Sequence, residues 1–160
     1  MARVNLETRI RVSRLRAESI ALSKLYGEVS FDRDDASWLY VPHFPLPSGW
    51  NKREVAILVD IPWRAPDTYP STTPQWFWTD NNLRTHDGRP LGHFFHHPHT
   101  ASGHNESEER ERLARGWGHF CIYMESWTPA LGAADWQRGT SLITYLNMIK
   151  ATFNNRNAII

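Results

Sequence analysis

The chain has 160 residues, 41% hydrophobic and 22% charged, which suits one folded domain of about 100–200 residues and excludes two full domains, wholesale disorder or a fibrous repeat. Eighteen Lys plus Arg against 17 Asp plus Glu leave a charge of +1, too balanced for a nucleic-acid binder that works by charge alone. No apolar run approaches the roughly 18–20 residues of a membrane span, and the Arg-rich start lacks the apolar stretch of a secretory signal, so a cytoplasmic protein without membrane or nucleic-acid partners is expected.

Asn5 is placed to cap a helix over residues 5–26, in which Val12, Leu15, Ser19, Leu22 and Tyr26 recur at steps of three and four and form one buried stripe. Its other faces carry Arg9, Arg11, Arg14 and Arg16; six basic and two acidic residues among the first 26 leave +4. That basic patch is either a solvated face or a docking surface for an acidic partner. Between 28 and 79 the pattern turns to short β-rich runs at 28–31, 38–44, 54–61 and 75–79, parted by Asp, Pro and Gly, which predicts a four-strand antiparallel meander. In the third run Val55, Ile57, Val59 and Ile61 alternate with Ala56, Leu58 and Asp60, the mark of one buried and one partly covered face. Pro62, Pro66, Pro70 and Pro74 forbid a regular element over 62–74 and predict a stiff loop. Residues 80–118 hold most of the histidines and a charged run, predicting a long functional loop with about two helical turns in its charged part. Ile143, Leu146, Ile149 and Phe153 then restore helical spacing over 138–154.

This order of elements, with certain short motifs, resembles the ubiquitin-conjugating (E2) fold. Tyr69-Pro70-Ser71-Thr72-Thr73-Pro74 follows the spacing of the E2 Tyr-Pro turn, and Trp127-Thr128-Pro129-Ala130 after Cys121 matches the Trp-Ser/Thr-Pro-Ala extension. Phe44-Pro45-Leu46-Pro47-Ser48-Gly49-Trp50-Asn51, with Phe77-Trp78 and Leu83-Arg84, is similar to the bacterial family E of E2-like proteins. The resemblance spans about residues 6–153 and implies one α+β E2-like domain over 1–160, with a core at about 5–154: an N-terminal helix, the four-stranded meander, a loop-built catalytic edge holding Cys121, and a C-terminal helix. It implies a cofactor-free acyltransferase that takes a ubiquitin-like protein from an E1-like activating enzyme as a Cys121 thioester and passes it to an amine of a target protein. Its setting would be a Bil-type antiphage conjugation operon. It further implies partner-binding positions at Arg9, Arg11, Arg14 and Arg16, at Tyr69 and Pro70, and at Trp127 and Pro129, with the first helix and residues 62–74 meeting the E1. One motif departs: the E2 His-Pro-Asn tripeptide has its nearest match in His97-Pro98-His99, far upstream of Cys121 and without the Asn. A different class also fits, a catalytically inactive E2 variant that binds a ubiquitin-like protein as a scaffold.

A free thiol, with pKa near 8.5, is only a few per cent ionised at about pH 7, so acyl transfer through Cys121 gains from a nearby donor or cation. His119 lies two positions away and would share a strand face with Cys121, beside Tyr123. The bland reading makes Cys121 a small buried hydrophobe between Phe120 and Ile122. A developing oxyanion needs its own donor; His99, Asn105, His104 and the amides around Gly116–Gly118 are candidates, and Glu125 and Asp135 are candidates for deprotonating the attacking amine. His93, His96, His97, His99 and His104 outnumber the ligands zinc requires, yet no HExxH or paired CxxC accompanies them, and no metal site is assigned. Trp76, Trp78, Trp117, Trp127 and Trp136 are read as core rather than a stacking platform.

Overall fold

The computed structural model describes residues 5–92 and 106–155. Helix α1 spans Leu6–Tyr26, and the Asn5 side chain accepts the Glu7 amide at 3.1 Å, satisfying one of the donors that the first turn leaves open. At its other end the Gly27 amide bonds the Ser23 carbonyl from a φ of +78°, a conformation that glycine adopts without strain. The stripe buries Leu15, Ser19 and Leu22, and also Arg11, Arg14 and Glu18. Three charged residues therefore share the inward side of α1 with its apolar ones.

Five strands follow: β1 Ser30–Phe31, β2 Trp38–Pro45, β3 Glu54–Asp60, β4 Trp76–Asp80 and, after helix α2 at Glu106–Ala114, β5 Trp117–Cys121. They pair antiparallel in sequential order, β1-β2-β3-β4-β5. The α+β class and the N-terminal helix stand; the expectation of four strands is corrected to five, and the edge holding Cys121 is a strand rather than a loop. The β-propensity of Trp117, Phe120 and Ile122 is diluted by Gly116, Gly118 and His119, which is why the run does not read as a strand on its own. The last helix, α3, runs Leu142–Asn154, starting later than the predicted 138 because residues Trp136–Arg138 form a separate 3-10 turn before it.

One face of the sheet forms the core. Leu39, Val41, Ile57, Val59, Phe77 and Phe120 meet Leu15 and Leu22 of α1 and Leu142, Leu146, Ile149 and Phe153 of α3 in a single hydrophobic cluster. Phe153 lies at its centre, its ring centroid 5.6 Å from Trp50, 6.4 Å from Phe44 and 6.5 Å from Phe77. On the opposite face α2 covers β5, and Arg112 reaches from it to the fully buried Asp60 carboxylate at 3.0 Å, crossing the Trp78 ring at 5.2 Å.

The segment after Cys121 is fastened to α1 through a buried polar cluster. The Arg14 guanidinium bonds Glu18 at 3.2 Å and the carbonyls of Ala130, Gly132 and Thr140. Glu18 also accepts the Tyr69 hydroxyl at 2.7 Å and the Leu142 amide at 2.9 Å, so α1, the Tyr-Pro turn and the start of α3 meet on one carboxylate. Trp127 Nε1 closes the arrangement on the Pro70 carbonyl at 2.8 Å. At Gly139 the chain passes so close to this segment that a Cβ would collide with the Thr128 carbonyl oxygen and the Ala130 nitrogen, both backbone atoms. Gly139→Ala is accordingly expected to destabilise the protein by about 1–3 kcal/mol, read as a lower urea midpoint with an unchanged m-value.

Candidate functional site

Cys121 ends β5 and is half-buried. Its position is set by the register with β4: Trp76 lies opposite Cys121 and Trp78 opposite His119, and just beyond, the Ile122 amide bonds the Gln75 carbonyl at 2.8 Å. The pleat therefore places residues 119 and 121 on one face. Gln75, exposed and directly before β4, donates from its side-chain amide to the Cys121 Sγ at 3.3 Å.

His119 is fully buried. Its ring stacks on Trp78, 3.9 Å between centroids and 8° from parallel, with Trp76 at 4.5 Å, and its Nε2 lies 3.6 Å from the Asp60 carboxylate. Asp60 in turn accepts Trp78 Nε1 at 2.8 Å and Arg112 at 3.0 Å. The buried charge thus has a cation and a ring N–H against it, which is what makes its burial sustainable. Held between two indoles, the imidazole is a fixed part of the wall beside Cys121.

Tyr145 of α3 points a buried hydroxyl into this end of the molecule without a hydrogen-bond partner among the described residues. Burial raises its phenol well above the usual range, with the Asp60 carboxylate acting in the same direction. The phenol is a neutral group at any working pH. Tyr123, beyond the strand, is 75% exposed.

The other expected site residues fall into several groups. His99 and Asn105, with His93, His96, His97 and His104, lie outside the described residues. Arg11 and Arg14 leave the expected basic surface, because both are buried: Arg11 bonds the Asp35 carbonyl at 2.7 Å and 3.0 Å, and Arg14 sits in the cluster with Glu18. Arg9 and Arg16 remain exposed. Tyr69 and Pro70 are buried and Trp127 and Pro129 half-buried, so the two motifs hold the segment after Cys121 in place rather than offering Tyr69 and Pro70 as a contact surface. Glu125 and Asp135 are exposed, and the Gly116 amide already bonds the Leu113 carbonyl at 3.1 Å.

Gln75, Asp60 and Arg112 escape the sequence reading. Asp60 has a signal, a lone carboxylate closing an apolar run; Gln75 has none, since it belongs to the site only through a register between strands about 40 residues apart in the chain. Among the described residues no group of three or more His, Cys, Asp or Glu is placed to hold a metal ion, and no helix is long and apolar enough to cross a membrane. What the arrangement offers chemically is one half-buried thiol, an uncharged donor on its sulfur, and a rigid aromatic wall beside it.

A family model described as prokaryotic E2 family E matches residues 20–155, most of the chain. No curated protein and no solved structure matches it.

Proposed function

The chain belongs to prokaryotic E2 family E, and from that premise we propose that it carries a ubiquitin-like protein as a thioester on Cys121 and delivers it to an amine of a target protein. E2-like conjugation, with E1-like enzymes and ubiquitin-like proteins as partners, is the role the family suggests in general. The observation that carries the specific reading is the placement of the chain's only cysteine: half-buried at a strand end, with a hydrogen-bond donor on its sulfur, rather than packed inside the core.

In the first step the Cys121 thiolate attacks the carbonyl carbon of the thioester on the E1, and the E1 thiolate leaves. In the second an amine nitrogen attacks the new thioester and Cys121 leaves. Both steps transfer one acyl group without net oxidation, the first from sulfur to sulfur and the second from sulfur to nitrogen, and both gain from residues that position the sulfur. His119, clamped between Trp76 and Trp78 against Asp60, would act as a positioning residue for β5 and its terminal cysteine. His99 and Asn105 keep the proposed roles of oxyanion donors. Arg9 and Arg16 form the proposed E1-facing patch on α1, joined by residues 62–74; Trp127 and Pro129 would support the partner-binding side of the site. The family resemblance also supports a cytoplasmic role in bacterial antiphage defence.

The test is the intact mass of the protein after incubation with its E1-like enzyme, ubiquitin-like protein and ATP. An ATP-dependent adduct that thiol reductant removes is expected. No adduct beside a demonstrably charged E1 would replace this reading with that of a non-catalytic binding or scaffold module, with Cys121 reduced to packing.

A further inference from the structure

Acyl transfer from a thioester needs a donor for the oxyanion of its tetrahedral intermediate. Resting on the thioester reading above, we propose that the side-chain amide of Gln75 is such a donor, holding the Cys121 sulfur in the free protein and the acyl oxygen during transfer.

Three observations converge on it. The amide nitrogen already lies 3.3 Å from Sγ, and Cys121 is the side-chain partner the structure gives it. Its backbone is anchored on both sides of the contact: Pro74 is buried before it, and the Gln75 carbonyl is tied to the Ile122 amide, one residue past the cysteine, at 2.8 Å. The donor therefore travels with β5, and a shift of one strand would carry both groups. Finally, His119, on the same strand face as Cys121, is stacked between two indoles.

The amide also suits the chemistry. Its nitrogen carries two hydrogens, so one can stay on sulfur while the other meets the carbonyl oxygen attached one atom beyond it. Being uncharged, it neither titrates nor needs a counter-ion at an exposed edge. As the target amine attacks, the N–C bond forms and the carbonyl π pair moves onto oxygen, where the amide bonds it. On collapse the C–S bond breaks, the electron pair leaves on Sγ, and a proton of the nitrogen that attacked, now cationic, passes to solvent. The amide then returns to the thiolate, a better acceptor than the thioester sulfur it replaced.

A glycine-terminated peptide thioester of mercaptoethanesulfonate loads Cys121 by thiol exchange, which makes the test independent of the natural partners. Discharge of the loaded protein to free L-lysine is followed by intact mass for the native protein, Gln75→Ala and the isosteric Gln75→Glu, which lacks the donor. Both variants should load yet discharge about 100-fold more slowly, and alkylation of the unloaded thiol by iodoacetamide at neutral pH should slow several-fold. Because Gln75 is exposed, unchanged urea midpoints are expected alongside. Discharge within twofold of the native rate in both variants overturns the role of Gln75 while leaving the thioester reading intact. A native protein that takes no acyl group from the peptide thioester overturns both.

Discussion

Cys121→Ala is expected to yield no adduct with E1, ubiquitin-like protein and ATP, whereas Cys121→Ser should yield one that survives thiol reductant. The chain has no second cysteine to substitute for the lost nucleophile, so the alanine effect should be complete rather than partial. Serine keeps an attacking atom at the same strand position, but its oxygen makes an ester whose alkoxide leaves far less readily than a thiolate, and thiols do not exchange with it at a useful rate. Neither substitution opens a core cavity, because the side chain is half-buried at a strand end and touches the exposed Gln75 amide. Stability should move by less than about 1 kcal/mol, and urea midpoints measured beside the mass spectra would separate lost chemistry from lost structure. A reductant-sensitive adduct that persists on Cys121→Ala would overturn the assignment of the thioester to Cys121.

Arg14→Ala should be the most damaging single change to the fold. Arg14 and Glu18 are both fully buried, 0% exposed. Removing the guanidinium strips the Ala130, Gly132 and Thr140 carbonyls of a donor and leaves the Glu18 carboxylate buried without its cation. Breaking one side of such a pair costs about 3–5 kcal/mol, readable as a fall in the urea midpoint. The loss should also depend on pH. Burial already holds the Glu18 carboxyl above its usual range, against the opposing pull of the Leu142 amide, the Tyr69 hydroxyl and Arg14. Without Arg14 the carboxyl rises further. A carboxyl raised in the folded state contributes its stability fully below its unfolded value and loses it as pH climbs through the folded one. The gap between Arg14→Ala and the native protein should therefore widen as pH climbs above the ordinary glutamate range. Arg14→Lys keeps the charge but not the planar fork that reaches three carbonyls, and should fall between the two.

Sequence was most legible where local pattern and local structure coincide. The three-and-four spacing of Leu15, Ser19 and Leu22 and the capping Asn5 set out α1 almost to the residue, and the alternation from Val55 to Ile61 set out β3 and its core face. Legibility failed where a residue's environment is set by distant chain. Arg11 and Arg14 read as part of a surface patch, solvated or partner-binding, because nothing nearby shows that the Asp35, Ala130 and Gly132 carbonyls will arrive around them. The same holds for Tyr69, Pro70 and Trp127, whose pattern identified the family but not the physical job of joining the turn to the segment after Cys121. In the site, the shared face of His119 and Cys121 followed from strand periodicity, since the pleat is a local property. The donor on the sulfur did not, because Gln75 reaches Cys121 only across the β4–β5 register.

The sequential sheet and the Arg14 cluster also differ in how far the chain must travel to form them. The pairings β1–β2, β2–β3 and β3–β4 join strands separated by short stretches of chain, so these pairings close short loops and can assemble hairpin by hairpin. The bonds from Arg14 and Glu18 to Ala130, Thr140 and Leu142 join residues 116 to 126 positions apart. Closing loops of that length has the larger entropic cost and is deferred until the sheet has shortened the path. The polar cluster should then be absent from the folding transition state and come apart early when the protein unfolds. In rapid-mixing experiments Arg14→Ala would leave the refolding limb nearly unchanged and speed escape from the native state. The segment that follows the reactive cysteine would thus be the last part of the molecule to lock, and the residence time of the folded protein would be governed by α1's grip on it.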